Sequence, residues 1–187
     1  MELRRLGRTA LRVSELCLGT MNFGPLTTPD DSFEIMDHAL ELGINFFDTA
    51  NRYGGPKGPG TTETIIGNWF AQGGGRRQKV VLATKIGMEM APDKKGLAKA
   101  YIVKGVEDSL KRLKTDRIDL YQSHRDDPAT PVAETLEAYR TLIEAGRLGE
   151  ALDAAKTKGL PRYVTLQPHY SLIEREGFEK DLVQLCL

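Results

Sequence analysis

Short apolar strands alternate with amphipathic helices along most of the chain, and this alternation constrains the fold more than any other feature. The strand-like segments are LCLGT at 16–20, INFFDTA at 44–50, VVLATK at 80–85 and IDLYQSH at 118–124. Apolar residues at helical spacing follow each of them. Continuous apolar strands between amphipathic helices are typical of a parallel sheet covered by helices. The pattern therefore predicts an α/β fold, in one domain over residues 1–187.

Prolines and glycines indicate where the helices begin and end. One helix is predicted from the Thr28 cap and Pro29 to Gly43, and the others lie at 63–71, at about 99–113 and from Pro131 to Gly146. A small hairpin or plug is expected at 2–14.

The alternation changes after Gly146. A helix at 149–158 follows the preceding one with no strand between them, strand character returns at 163–166, and a helix is predicted at 179–187. The pattern gives about five core strands, whereas a closed (β/α)8 barrel needs eight strands and typically about 250 residues. We therefore expect an incomplete barrel that lacks the fifth strand and the C-terminal strands.

Composition excludes several classes of function. The 26 basic and 26 acidic side chains cancel, so a nucleic-acid or anionic-membrane partner is not expected. Arg76, Arg77 and Lys79 are predicted to lie in a solvated loop. Cys17 and Cys186 form neither a metal motif nor a disulfide framework. No metal is therefore expected. The sequence shows no signal peptide and no apolar run long enough to span a bilayer, so a cytoplasmic protein is expected.

Four polar residues stand where three successive predicted strands end. Asp48 lies near the end of one strand, Tyr53 on the loop after it, Lys85 ends the next strand, and His124 ends the one after. In an α/β barrel, catalytic groups lie at the carboxyl ends of strands. Singly, three of them have a simpler explanation: Asp48 as a strand-end cap, Lys85 as a solvated charge and His124 as a structural residue. Their shared location favours a catalytic site.

These residue types suit the reduction of a carbonyl group. Hydride addition develops negative charge on oxygen, and a proton must be supplied. A free phenol, with a pKa of about 10, is a poor donor near neutral pH, and a neighbouring ammonium favours the phenolate. Lys85 is placed to supply that charge, with Asp48 orienting it and neutral His124 donating a hydrogen bond to the substrate oxygen. The hydride itself requires a cofactor.

Several segments together resemble the aldo-keto reductase family. They are RRLGRTALRVSELCLGTMNFG near the start, GINFFDTANRYG at 43–54, LATK at 82–85, and DLYQSHRDDPATPVAETLEAYRTLIEAGR at 119–147. The resemblance implies a barrel of the TIM type and a catalytic tetrad of Asp48, Tyr53, Lys85 and His124, with Tyr53 as the proton donor. The substrate would be a small carbonyl compound.

The resemblance also implies a cofactor, usually NADPH. The implied contacts are Gly19, Thr20 and Met21 after the first strand, Asp48 near the nicotinamide ribose, and Gln167 at the nicotinamide amide. Without the family context, Gln167 is equally a polar residue at a strand end. NADPH rather than NADH is inherited from the family.

The sequence departs from the family where a fifth strand ending in Ser-Asn is expected, and the join at 146–149 resembles a deletion. Three explanations are open. Either the sequence is part of a longer protein, or it is a truncated protein whose subunits pair as a homo-oligomer, or it is an inactive remnant. We favour the first. A measured mass of the purified protein near 20.7 kDa would exclude the first explanation.

Two other functions compete with a reductase. One is a non-catalytic regulatory protein, as in potassium-channel β subunits, and the other is an unrelated barrel enzyme such as an isomerase.

Overall fold

The structure is a computed structural model that describes residues 1–7 and 9–148. A hairpin opens the chain, in which β1 (Leu3–Arg5) pairs antiparallel with β2 (Arg12–Ser14). This confirms the predicted N-terminal hairpin.

Four parallel strands follow in sequence order: β3 (Cys17–Gly19), β4 (Phe46–Asp48), β5 (Val81–Ile86) and β6 (Leu120–Ser123). Each occupies part of a segment predicted to be a strand, except that β5 extends one residue further. The helices between and after them are α1 (Pro29–Glu41), α2 (Thr61–Ala71), the short α3 (Arg76–Lys79), α4 (Lys99–Leu113) and α5 (Val132–Glu144). A 3-10 turn, Gly55–Lys57, precedes α2. The α/β fold is therefore confirmed.

The two faces of the sheet have different roles because side chains alternate along a strand. Phe47, Leu82 and Tyr121 point toward the helices and belong to the main hydrophobic core. On the other face, Ala83 and Leu120 pack with apolar residues of the hairpin region. The hairpin thus covers one part of this second face, and the carboxyl ends of the strands lie beyond it.

Local signals placed the helix ends well. The Thr28 hydroxyl accepts a hydrogen bond from the Asp31 amide and caps α1, as predicted. The bounds of α4 agree with the predicted 99–113. Gly146 follows α5 with a φ of +69°, a conformation that glycine adopts without steric cost.

The prediction of a solvated loop for the basic cluster was wrong for its two arginines, which lie on the helix α3, whereas Lys79 is exposed. Arg77 is buried, where its guanidinium binds the Asp119 carboxylate at 2.8 Å, and Arg76 binds Asp37 at 2.9 Å. These arginines join α3 to Asp119, just before β6, and to α1, so both have a structural role.

The fifth strand that the sequence is predicted to lack would follow Gly146, close to residue 148, where the described residues end. Leu148 forms an isolated parallel bridge with Ile118, beside β6. The predicted helix at 149–158, the strand at 163–166, the helix at 179–187 and Gln167 lie outside the described residues. None of the described helices is long and apolar enough to cross a membrane.

Candidate active site

Asp48 and Lys85 form a buried ion pair at the carboxyl ends of β4 and β5. The register pairs Asp48 with Ala83, two residues before Lys85, so both side chains point to the same face of the sheet. Lys85 Nζ lies 2.5 Å from Asp48 Oδ2 and donates a second hydrogen bond to the Thr49 carbonyl at 2.9 Å. The two side chains are only 5% and 13% exposed. Each charge is thus compensated by a partner, as burial requires.

Tyr53 lies on the loop after β4 and completes a polar chain with this pair. Its hydroxyl oxygen lies 3.4 Å from Lys85 Nζ. The next residue, Gly54, has a φ of +153°, and a Cβ atom there would lie 1.8 Å from the Gly58 carbonyl oxygen. Only glycine fits this turn, and the turn holds the tyrosine ring over the lysine.

His124 also contacts Tyr53. Its amide donates to the Ile86 carbonyl at 2.7 Å, which fixes the end of β6 against β5. The two rings meet edge to face, with centroids 5.7 Å apart. Burial lowers the pKa of His124, and the Lys85 ammonium lowers it further. The imidazole is therefore neutral near pH 7 and offers one N–H donor and one acceptor.

Gln122 also belongs to this cluster, although the sequence analysis did not identify it. It is the neighbour of Lys85 in the β5–β6 ladder, and its Nε2 donates to Asp48 Oδ1 at 3.2 Å. Its position two residues before His124 on one strand was a usable signal, since such residues share a face. The Thr49 carbonyl was also missed, and because it is a backbone atom no side-chain pattern marks it.

The three residues Gly19, Thr20 and Met21, at and after the end of β3, differ in how exposed they are at this edge of the sheet. Gly19 is the ladder neighbour of Asp48, and a Cβ atom built on it would meet nothing within 4 Å. Met21 is 60% exposed, whereas Thr20 is fully buried. The Thr20 hydroxyl donates to the Asp48 carbonyl at 2.9 Å. The Thr20 amide also donates to the Asp48 carbonyl, at 3.0 Å, so Thr20 offers no exposed atom at this edge.

The structure thus brings together all four residues of the predicted tetrad. A tyrosine contacts both an ammonium and a neutral imidazole, and a carboxylate holds the ammonium in place. Such a set can deliver a proton to an oxygen atom and stabilise the charge left behind. Among the described residues, no group of three or more histidine, cysteine or acidic side chains could hold a metal ion.

The chain is similar to known proteins over nearly its whole length. The sequence model of the aldo/keto reductase family matches residues 15–187. An uncharacterized oxidoreductase YrpG of Bacillus subtilis is 48% identical over 94% of this chain and 60% of its own length. The protein tas of Escherichia coli is 34% identical over 99% of this chain and 64% of its own length. The chain therefore spans about three fifths of the length of these curated relatives.

The chain is also similar in fold to a solved structure. The holo form of the aldo-keto reductase AKR11C1 from Bacillus halodurans aligns with a TM-score of 0.68 and 43% identity, over 79% of this chain and 48% of that one. Its barrel is of the TIM type, and the parallel sheet described above is consistent with an incomplete barrel of that type. The chain belongs to the aldo/keto reductase family.

Proposed function

We propose that the protein reduces small aldehydes or ketones to alcohols, with NADPH as the hydride donor and Tyr53 as the proton donor. The observation that carries the proposal is the 3.4 Å contact between the Tyr53 hydroxyl and Lys85 Nζ, with Asp48 on the far side of the ammonium. Membership of an oxidoreductase family supports the same reaction class.

Each residue has a role that follows from its contacts. The Tyr53 hydroxyl gives its proton to the carbonyl oxygen of the substrate as negative charge develops there. The Lys85 ammonium stabilises the phenolate that remains, because the two groups are in contact and the ammonium is buried. Neutral His124 donates a hydrogen bond to the same substrate oxygen and orients it. Asp48 and the Thr49 carbonyl keep Lys85 aimed at the phenol.

The residues at this edge fit a nicotinamide cofactor. NADPH supplies the hydride when bound, since no side chain can do so. The open space beside Gly19, next to Asp48 in the ladder, leaves room for a flat ring near the ion pair. Exposed Met21 is the further contact that we propose on this side. Thr20 remains a predicted contact, and Gln167 remains a predicted contact to the amide group.

Replacement of the phenol tests the proposal. Wild-type protein is mixed with NADPH and 4-nitrobenzaldehyde, and loss of NADPH absorbance is followed. Tyr53→Phe should lower kcat by at least about a hundredfold, as expected for loss of a general acid, while NADPH binding by calorimetry is retained. Tyr139→Phe is a matched control, because that phenol lies on the helix-facing side of the sheet and contacts Ser123. Wild-type protein without turnover, or Tyr53→Phe with normal turnover, would contradict the proposal.

A second candidate is a regulatory protein that binds a partner. A probable voltage-gated potassium channel subunit beta of Oryza sativa is 33% identical over 99% of this chain and 60% of its own length. Reductase turnover distinguishes the two functions. A protein that binds NADPH with micromolar affinity but reduces no aldehyde would favour the regulatory function.

A further inference from the structure

Two arginines lie next to the proposed catalytic residues in the chain. Arg52 directly precedes Tyr53, and Arg125 directly follows His124. The Tyr53 and His124 rings are in edge contact, so the two arginines are chain neighbours of residues that meet in the site. The Arg125 guanidinium adds to the effects that lower the pKa of His124, after burial and the Lys85 ammonium. Its positive charge therefore acts on the site.

Arg52 differs from the other shielded arginines of the described part. Four others are buried or half-buried, and each binds a carboxylate: Arg76–Asp37, Arg77–Asp119, Arg112–Glu63 and Arg147–Glu107. Arg52 is half-buried, and within residues 1–7 and 9–148 the structure gives it no ion pair or hydrogen bond. Partial desolvation of a cation without a counter-charge costs free energy. An anion bound beside Arg52 would recover that cost.

The two loops that carry these arginines contain few competing acids. The loop between Asp48 and Glu63 has Arg52 and Lys57 but no acidic residue. In the loop after β6, Asp127 is engaged by the Leu97 and Ala129 amides and the Thr130 hydroxyl. Arg125 and Asp126 are both exposed, unlike half-buried Arg52, and Arg125 has no ion pair with Asp126 or with any other described acid. Arg52 and Arg125 therefore have no counter-charge among the described residues.

We propose that Arg125, assisted by Arg52, recognises an anionic group, a carboxylate or a phosphate, on the carbonyl substrate. A guanidinium group binds either anion through paired N–H donors. The bound anion would place the carbonyl carbon of a small substrate near Tyr53 and His124. This inference rests on the proposed reductase function and adds the class of substrate.

Matched pairs of substrates test the inference with the intact protein. One pair is 4-carboxybenzaldehyde and methyl 4-formylbenzoate, and the other is glyceraldehyde 3-phosphate and glyceraldehyde. The anionic member of at least one pair should have the higher kcat/KM, by about tenfold, as expected for a charge-assisted hydrogen bond. This preference should shrink as salt is raised, because the site is partly open to solvent.

Variants of the arginines identify the source of the preference. Arg125→Ala should remove most of it while leaving the neutral substrates little affected, and Arg52→Ala should remove a smaller part. Arg125→Lys should keep part of it, since lysine retains the charge but not the paired donors. Arg5→Ala, which removes an exposed arginine of β1, should leave the preference unchanged.

The outcomes separate this inference from the function on which it rests. Equal kcat/KM for both members of each pair would overturn the inference and leave the reductase function intact. The same follows if Arg125→Ala weakens charged and neutral substrates equally, or if it raises only the KM for NADPH. No turnover of any of the four compounds would overturn the proposed function and the inference with it.

Discussion

Gln122 on β6 and Asp48 on β4 are joined by a hydrogen bond across the strand that separates them, with Nε2 to Oδ1 at 3.2 Å. The other carboxylate oxygen, Oδ2, accepts from Lys85 on β5. Each oxygen of the Asp48 carboxylate is therefore held by a residue of a different strand, one on β5 and one on β6. This arrangement fixes the direction in which Asp48 presents its charge to the lysine.

We predict that Gln122 is a positioning residue of the site. Gln122→Met keeps the size of the side chain but leaves Asp48 Oδ1 without its donor, so kcat should fall by about tenfold, in line with the worth of a hydrogen bond to a charged group. KM for the aldehyde should change little. Steady-state kinetics with a simple aldehyde measures both constants.

A second variant distinguishes positioning from a packing role. Gln122→Glu places a second carboxyl group beside Asp48, and only its protonated form can donate a hydrogen bond. Its activity relative to wild type should therefore rise as the pH is lowered. A flat ratio across the pH range, together with a fully active Gln122→Met, would show that the contact does not matter for catalysis.

The buried ion pair allows stability and chemistry to be measured separately. Lys85→Met leaves the Asp48 carboxylate buried without its counter-charge, and the free energy of unfolding should fall by about 3–5 kcal/mol. The double variant Asp48→Asn with Lys85→Met removes both charges and should recover much of that loss, while remaining inactive. Urea denaturation gives the stabilities, and NADPH consumption gives the activities. A double variant no more stable than Lys85→Met would argue against charge burial as the cause.

Much of the candidate site could be predicted from the sequence because its residues stand at the ends of apolar strands. In a parallel sheet, strand ends meet at one edge, so Asp48, Lys85 and His124 were expected to lie together. The pattern of apolar residues located those strands without any knowledge of their pairing. The turn at Gly54, which holds Tyr53 over Lys85, was not predicted, because its requirement for glycine comes from the backbone geometry of the loop.

The contacts that were missed depend on pairing between distant segments. Arg77 was expected to be solvated, and its burial rests on Asp119, which lies 42 residues away in sequence. Gln122 binds Asp48 over a separation of 74 residues. Side-chain alternation shows that Gln122 and His124 share a face, but only the ladder register shows which residue Gln122 meets on the next strand.

Close packing between α2 and α4 gives a prediction about stability alone. A Cβ atom at Gly67 would lie 2.1 Å from the Arg112 carbonyl oxygen and 2.8 Å from the Leu113 carbonyl carbon, and backbone atoms cannot move aside cheaply. Gly67→Ala should therefore destabilise the protein by about 1–3 kcal/mol, the usual cost of overpacking, despite the better helix propensity of alanine. Asn68→Ala, on the exposed face of the same helix, is the matched control and should be neutral or slightly stabilising. Thermal unfolding of both variants measures the difference, and equal stabilities would contradict the close approach of the two helices.

His124 should make both stability and activity depend on pH in a defined direction. Burial, and then the Lys85 ammonium, lower the pKa of its imidazole in the folded protein, whereas in the unfolded chain the pKa is about 6.5. Between these two values the unfolded state binds more protons than the folded state, so the free energy of unfolding decreases as the pH falls below about 6.5. His124→Gln removes this contribution, and the difference in unfolding free energy between wild type and variant should therefore depend on pH only below that value. The wild-type kcat should fall over the lower part of the same range, because a protonated imidazole brings a second positive charge next to Lys85. Denaturation curves and rates taken from pH 5 to 8 measure both effects, and a wild-type-minus-variant difference that is constant over this range would contradict a neutral, shielded His124.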